Sequence, residues 1–177
     1  MTGSSPLIFV TVGTDHHRFD RLIDWIDRWI EQGSPARADV FVQHGTSAAP
    51  RRVRGAPYVS PDEMRAMFRD AHVVVCQGGP ATIAEARAAG VLPIAIARRG
   101  PLGEHVDDHQ NAFVDHLERQ GRVRTARSFE ELSALLDGAL PAPRAVAGSD
   151  NGSSVEGSVR RFETEVGRLL GRRARRR

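Results

Sequence analysis

Lysine is absent from this chain of 177 residues, and all 25 of its basic side chains are arginines. The single cysteine, Cys76, excludes an internal disulfide and is typical of a reducing compartment. Aromatic residues make up only 6% of the chain, and they form no stacking platform of the kind that binds nucleic acid. No apolar run is long enough to cross a bilayer, and no basic segment precedes the first apolar run. We therefore expect a cytoplasmic protein without a nucleic-acid partner.

Two kinds of apolar segment alternate along the first three quarters of the chain. Short continuous runs predict buried strands, and longer segments with apolar residues three and four apart predict amphipathic helices. Such alternation predicts an α/β fold, a Rossmann-like parallel sheet with helices on both faces. The predicted strands are 7–12, 39–43, 57–59, 73–76, 92–97 and 123–125, and the predicted helices are 19–30, 80–89, 109–120 and 128–136, with one more starting after Ser60.

The composition changes after residue 136. A stretch rich in Gly, Ala, Pro and Ser predicts a linker over 137–152, after a Rossmann-like domain over 1–136. An amphipathic helix is predicted over 153–170, and a basic tail follows at 171–177. The apolar stripe of this helix packs either on its own domain or on a second protein. The tail is either a solvated end or a point of contact with an anionic membrane surface, which would recruit the protein to the inner face of the membrane.

Candidate ligand contacts follow the strands, because parallel strands end at one edge of the sheet and ligands bind there. Gly13 and Thr14 allow a close backbone approach, but they match neither GxGxxG nor a P-loop. The segment 77–85 gives a stronger signal: two glycines precede Pro80, which opens a helix whose free N–H groups suit a diphosphate. The alternatives are a plain turn and, for Glu85, a capping box with Thr82.

A polar cluster at 104–112 opens the next helix, and there Asp108 is either a cap or part of a site. His16, His17, His105 and His109 gather at the same predicted edge, but their spacing matches no metal motif, and no Asp-x-Asp ends a strand. We therefore expect no metal and no cofactor.

Four motifs in this order resemble the C-terminal, donor-binding domain of family 28 glycosyltransferases, which have the GT-B fold of two Rossmann-like domains. The likeness is strongest to small stand-alone versions of that domain. These are the soluble subunit of the two-subunit transferase that adds the second GlcNAc to dolichol-linked sugar, and the second subunit of bacterial exopolysaccharide glycosyltransferases. The motifs are Thr11-Val12-Gly13-Thr14 with Phe19-Asp20-Arg21-Leu22, then Gln43-His44-Gly45, then Gly78-Gly79 with Thr82 and Glu85, and finally His109-Gln110-Asn111-Ala112.

The resemblance implies a single GT-B half that binds a UDP-sugar. Related subunits often have Ser-His-Ala-Gly or Arg-Ala-Gly before the threonine, so Gln77 is a departure at a position next to phosphate. The implied contacts are Gly13, Thr14, Gln77, Gly78, Gly79, Ala81 and Thr82 with the diphosphate, His44 and Gly45 with the pocket wall, Tyr58 and Val59 with uracil, Glu85 with the ribose, and His109 and Gln110 with the sugar.

The same resemblance implies that the acceptor-binding half is a separate, membrane-associated subunit, and that this chain turns over little alone. The helix N-terminus, rather than a metal, would stabilise the leaving diphosphate of an inverting transfer. His16 and His17 are the candidates for a catalytic base within this chain. Two alternatives stay open: a non-catalytic module that binds a nucleotide-sugar and regulates another protein, and a sugar-nucleotide epimerase-like enzyme.

Overall fold

The computed structural model describes residues 5–33, 38–106 and 109–148. Its centre is a six-stranded sheet with the order β3-β2-β1-β4-β5-β6, and every neighbouring pair is parallel. This order and the helices between the strands confirm the predicted Rossmann-like α/β fold. The strands are β1 Leu7–Thr11, β2 Asp39–Gln43, β3 Arg54–Ala56, β4 Val73–Gln77, β5 Ile94–Ile96 and β6 Arg124–Thr125.

Helices cover both faces of the sheet, because alternate residues of each central strand point to opposite sides. Ile8 and Val10 of β1 pack in one apolar cluster with α1 and α5, whereas Phe9 packs in a second cluster with α2, α3 and α4. Both faces of the central strands are therefore buried from solvent. The helices are α1 Asp20–Glu31, α2 Pro61–Asp70, α3 Pro80–Ala88, α4 His109–Arg119 and α5 Phe129–Ala139, with a 3-10 turn at Gly100–Leu102.

Two of the helix starts show how local sequence fixes an element boundary. Ser60 and Glu63 form the full capping box at α2, with the backbone N–H of each residue donating to the side chain of the other. At α5, the Ser128 hydroxyl accepts from the Glu131 N–H, but the Glu131 carboxylate accepts from Arg127 instead of Ser128. Ser128 thus caps the start of α5, and the reciprocal bond is moved by one residue.

The third strand lies three residues earlier than predicted. Residues 54–56 pair with 41–43, and the carbonyl of Pro57 accepts from the Gly45 N–H and from the Gln43 side chain. The apolar letters at 57–59 made the prediction wrong, because the paired residues Arg54 and Gly55 carry no apolar signal. The fifth strand is shorter than predicted, at Ile94–Ile96, and the loop after it contains the 3-10 turn.

Residues 140–148 run along the amino edge of the sheet, opposite the strand ends. The Leu92 N–H donates to Ala145, and Arg144 donates to backbone carbonyls at the C-terminal ends of α2 and α3 at 2.8–3.2 Å. Helix α5 also continues to Ala139, so the first part of the predicted linker is attached to the domain. Residues 149–152 of the predicted linker, the predicted helix 153–170 and the tail 171–177 lie outside the described residues. Within the described ranges, no helix has the length and apolar character needed to span a membrane.

Candidate functional site

The strand order places a crevice at the carboxyl ends of β1 and β4. From these two adjacent strands the chain leaves towards opposite faces, to α1 and to α3, so the loops diverge and leave a gap between them. Gaps of this kind are the usual ligand sites of open parallel sheets. The predicted site residues whose position the structure describes all follow strand ends at this edge: Gly13, Thr14, His16 and His17 after β1, His44 and Gly45 after β2, Tyr58 and Val59 after β3, Gln77–Thr82 at the end of β4, and Gln110 after β5.

One side of the crevice is held by the buried amide of Gln43. Its Oε1 accepts from the Thr11 hydroxyl at 2.5 Å, and its Nε2 donates to the carbonyls of Gly13 at 3.1 Å and Pro57 at 2.7 Å. The Thr11 hydroxyl in turn accepts from the Gly13 N–H at 3.1 Å. These bonds connect the loops after β1, β2 and β3, so their shape is fixed without a ligand.

The other side of the crevice carries the amide of Gln77, which is 9% exposed. Its Nε2 donates to the Thr82 hydroxyl at 3.0 Å, but its Oε1 is buried and has no hydrogen-bond partner among the described residues. Leaving such an oxygen unpaired costs about 1–3 kcal/mol, and native proteins rarely tolerate it without a reason. A ligand that contacts this amide is such a reason.

Gly13 lets the β1 loop approach Gln77 closely. Its φ of 76° is in the left-handed region, and a Cβ placed on it would lie 2.3 Å from the Gln77 Nε2. The positive φ and the short distance both disfavour any residue larger than glycine at this position. The two loops of the crevice therefore touch at this glycine, and its predicted contact with a diphosphate stays a prediction.

Helix α3 opens towards the crevice without a side-chain cap. Its N-cap is Gly79, Pro80 has no N–H, and among the described residues no side chain bonds to the first-turn N–H groups. Thr82 lies within the helix and accepts from Gln77, so it is not the N-cap, and the capping-box alternative for Glu85 is excluded. Glu85 is exposed on the next turn.

The remaining predicted contact residues lie at the same edge of the sheet and differ in how far their side chains are exposed to solvent. His44 is half-buried, with Nδ1 3.1 Å from the Ser47 carbonyl, and Tyr58 is 53% exposed. The Gln110 Oε1 accepts from the Arg98 N–H at 3.3 Å, and a Cβ on Gly78 would lie 3.3 Å from the same oxygen. His109 begins α4, but its side chain and the predicted cap Asp108 lie outside what is described.

Arg98 is a central residue of this edge that the sequence analysis missed. Its side chain is fully buried and donates to the carbonyls of Val12, His17 and Glu104 at 2.8–2.9 Å. Burial lowers the pKa of Arg98, while the nearby carboxylates of Asp15 and Glu104 act in the opposite direction. In the sequence it is one arginine among 25 in a Gly/Pro-rich loop, so no local signal distinguished it.

A family model described as "Glycosyltransferase family 28 C-terminal domain" matches residues 7–151. The chain belongs to this family. The resemblance inferred from the four motifs is therefore confirmed for the family 28 domain.

Curated relatives of the family 28 domain are UDP-N-acetylglucosamine–N-acetylmuramyl-(pentapeptide) pyrophosphoryl-undecaprenol N-acetylglucosamine transferases. The enzyme of Acidithiobacillus ferrooxidans is 41% identical over 92 residues, which cover 51% of this chain and 24% of the relative. The enzyme of Azotobacter vinelandii is 28% identical over 116 residues, which cover 66% of this chain and 25% of the relative. The chain thus spans about a quarter of the length of these relatives, and its similarity to them supports a transferase.

Solved structures show the same architecture. The chain aligns with MurG of Acinetobacter baumannii at a TM-score of 0.55 and 18% identity, over 96% of this chain and 51% of that one. The glycosyltransferase of kitacinnamycin aligns at a TM-score of 0.58 and 18% identity, over 97% and 44%. These proteins are GT-B glycosyltransferases, and the family 28 domain corresponds to about half of each. The predicted single GT-B half is confirmed as a fold, whereas the individual ligand contacts stay predictions.

The family 28 domain also carries a polar cluster on the β1 loop. The Asp15 Oδ1 accepts from the His17 backbone N–H at 2.8 Å and lies 2.7 Å from the His17 Nδ1 and 3.6 Å from the His16 Nδ1. Burial opposes ionisation of Asp15, but the bonds from His17 and the charge of Arg98 outweigh it and lower the pKa of Asp15. One ligand atom from each of Asp15, His16 and His17 falls within 4.8 Å of the others, close enough to hold a cation. The role of His16 or His17 as a base stays a prediction.

Proposed function

We propose that this family 28 domain binds the UDP-sugar donor of an inverting glycosyltransferase. The observation that carries the proposal is the uncapped N-terminus of α3 beside the unpaired amide oxygen of Gln77, at the gap between β1 and β4. A helix N-terminus offers free N–H donors and positive potential, which suit a diphosphate. Gly13 and Gly79 both lie against the Gln77 amide, which a Cβ on Gly13 would meet at 2.3 Å and a Cβ on Gly79 at 3.0 Å.

The side-chain amide of Gln77 adds a hydrogen-bond donor, Nε2, and this amide has two orientations related by a half rotation. In the proposed complex the amide is turned by half a rotation, so that Oε1 accepts from the Thr82 hydroxyl, because the two ends of an amide occupy nearly the same volume. In that orientation Nε2 donates to a phosphate oxygen, and every polar group of the amide is bonded. The unpaired oxygen of the free protein is thus explained by a site whose hydrogen bonds are completed by the donor.

The rest of the donor follows along the edge. Backbone groups at Tyr58 and Val59 contact the uracil, and the exposed carboxylate of Glu85 accepts from the ribose hydroxyls. His44 and Gly45 line the pocket, and His109 and Gln110 reach the sugar. These assignments rest on the family resemblance and on the shared position of the described residues after strand ends.

In the proposed reaction, the α3 N-terminus stabilises the charge that develops on the leaving diphosphate, which is the role a metal has in other sugar transferases. Transfer then needs no metal. An inverting mechanism also needs a base for the acceptor hydroxyl. The acceptor-binding half supplies this base, with His16 and His17 as the alternatives within this chain.

The acceptor is proposed to be lipid-linked, because the relatives are named for transfer to a pyrophosphoryl-undecaprenol, or to be a growing polysaccharide, as the likeness to exopolysaccharide subunits implies. A separate membrane-associated subunit binds it, as the likeness to stand-alone subunits implies. Residues 153–170 and the arginines of 171–177 are proposed to contact this subunit and the membrane. Co-purification of the tagged chain from membranes tests the partner, and full turnover by the purified chain alone would contradict it.

Calorimetry on the purified chain tests the donor site directly. UDP, UDP-GlcNAc, UDP-glucose and UDP-glucuronate are titrated beside GDP and NAD, into the parent protein and into Glu85→Ala. Selective binding of the uridine compounds, weakened about tenfold by Glu85→Ala through the loss of charged hydrogen bonds, is expected. Glu130→Ala, which removes an exposed glutamate of α5, is the matched control and leaves affinity unchanged. Equal binding of GDP, or no effect at Glu85, would argue against the assignment.

A further inference from the structure

The loop between β1 and α1 gathers one carboxylate and two imidazoles at a single point. Oδ1 of Asp15 lies 2.7 Å from Nδ1 of His17 and 3.6 Å from Nδ1 of His16. Neighbouring ligand atoms of a tetrahedral zinc ion are about 3.3 Å apart, because each bond is about 2.0–2.1 Å long. The observed distances lie on both sides of that value, so small side-chain movements bring all three atoms to bonding distance of one ion.

The chemistry of these side chains selects the kind of ion. Imidazole nitrogens are borderline ligands that favour zinc, cobalt and nickel over magnesium and calcium, whose sites consist of oxygen atoms. A carboxylate with two imidazoles is a ligand set of zinc sites that keep an open position. Asp15 is therefore the charged ligand, and the histidines set the preference for a transition metal.

The backbone of this loop is already fixed, which lowers the cost of assembling a site. The Arg98 guanidinium donates to the His17 carbonyl at 2.8 Å, and the Thr46 hydroxyl donates to the His16 carbonyl at 3.1 Å. The His17 N–H donates to Asp15 at 2.8 Å. Each of the three ligand residues thus takes part in a bond that holds the backbone of the loop.

The surroundings leave the cluster accessible to an ion. The side chain of His16 is 85% exposed, and its ring lies 3.9 Å from that of His17, tilted by 40°. Among the described residues, Arg98 donates only to backbone carbonyls and does not bond to the Asp15 carboxylate. On the neighbouring loop, Nε2 of His105 lies 3.9 Å from Oδ2 of Asp15 and borders the same point.

We propose that Asp15, His16 and His17 form a binding site for one divalent transition-metal ion such as Zn²⁺. Binding through Nδ1 of His17 requires the tautomer in which this nitrogen carries no proton. The site goes beyond the proposed donor binding, which uses the N-terminus of α3 and assigns no metal to the transfer. Neither proposal requires the other.

The test uses the full chain without a polyhistidine tag, stripped with a chelator and titrated with ZnCl₂ and CoCl₂ in the absence of nucleotide. Calorimetry is expected to show one saturable site per chain with a micromolar or tighter dissociation constant, and Co²⁺ to give the visible bands of a low-symmetry site. Asp15→Asn, His16→Gln and His17→Gln are each expected to weaken binding at least tenfold. His116→Gln on α4, outside the cluster, is the matched control.

Circular dichroism shows whether each variant folds. The side chain of His16 is exposed, so His16→Gln is expected to fold and tests the site even if Asp15→Asn or His17→Gln does not fold. The absence of a saturable site would overturn the proposal. So would a site that His16→Gln leaves as tight as the control variant does. Since no nucleotide is present, either result is independent of whether the chain binds a UDP-sugar.

Discussion

Gln43 and Gln77 are the last residues of β2 and β4, and both are buried, at 1% and 9% exposure. The amide of Gln43 donates twice and accepts once within the protein, whereas the Oε1 of Gln77 has no partner among the described residues. The two residues have the same chemistry and equivalent positions along their strands. Gln43 therefore stabilises the loops of the free protein, whereas Gln77 keeps an unpaired oxygen and is the residue to which the proposed donor site assigns a ligand contact.

The largest effect is expected from Gln43→Met, which keeps the length of the side chain and removes its amide. The Thr11 hydroxyl and the carbonyls of Gly13 and Pro57 lose their partner inside the protein, so the free energy of unfolding is expected to fall by about 3 kcal/mol. Urea denaturation followed by circular dichroism measures it. A loss below about 1 kcal/mol would mean that Gln43 is not the structural member of the pair.

Gly13→Ala is expected to change both stability and UDP binding, because Gly13 contacts both Gln43 and Gln77. The added methyl group meets the Gln77 amide and the backbone is held at a positive φ, so we expect a loss of about 2 kcal/mol in stability. Displacing Gln77 should also remove measurable UDP binding. Gly121→Ala, at a positive φ with open space around it, is the matched control: its cost is limited to backbone strain, and UDP affinity is retained.

Gln77→Met is expected to separate binding from stability. Removing an amide that is only partly satisfied changes the free energy of unfolding by less than about 1 kcal/mol, while loss of a hydrogen bond to phosphate weakens UDP binding about tenfold. Denaturation and calorimetry on the same preparation give both numbers. A large loss of stability with unchanged UDP affinity would reverse the roles assigned to the two glutamines.

The smallest effect is expected in the rate at which a thiol reagent labels Cys76. This residue precedes Gln77 and packs in the apolar cluster with α3. Burial raises the pKa of its thiol to about 12, so raising the pH from about 7 to about 9 forms almost no thiolate, although a free thiol ionises near 8.5. Labelling by a thiol reagent should stay slow in the parent protein and in Gln77→Met. It should accelerate in Gln43→Met, because this less stable variant unfolds more often and exposes the thiol. Rapid labelling of the native parent protein at about pH 9 would show that β4 opens.

Much of the fold was predictable because its signals are local. The helix start after Ser60 and the buried runs of β1 and β4 are encoded within a few residues, and the structure has them close to where they were predicted. The third strand was misplaced because its pairing depends on residues of β2, not on its own letters. A strand that is edge-located and polar carries little signal of its own.

The sequence by itself determined the order of strands and helices, and it determined that glycines and polar residues follow the strands, because periodicity and turn chemistry are properties of neighbouring residues. Only the tertiary structure decided that Gln43 is fully bonded and that Arg98 is buried. Those outcomes depend on hydrogen bonds between loops that are 30 to 86 residues apart. No local pattern encodes such bonds, since each partner is selected by where the chain returns to the same edge of the sheet.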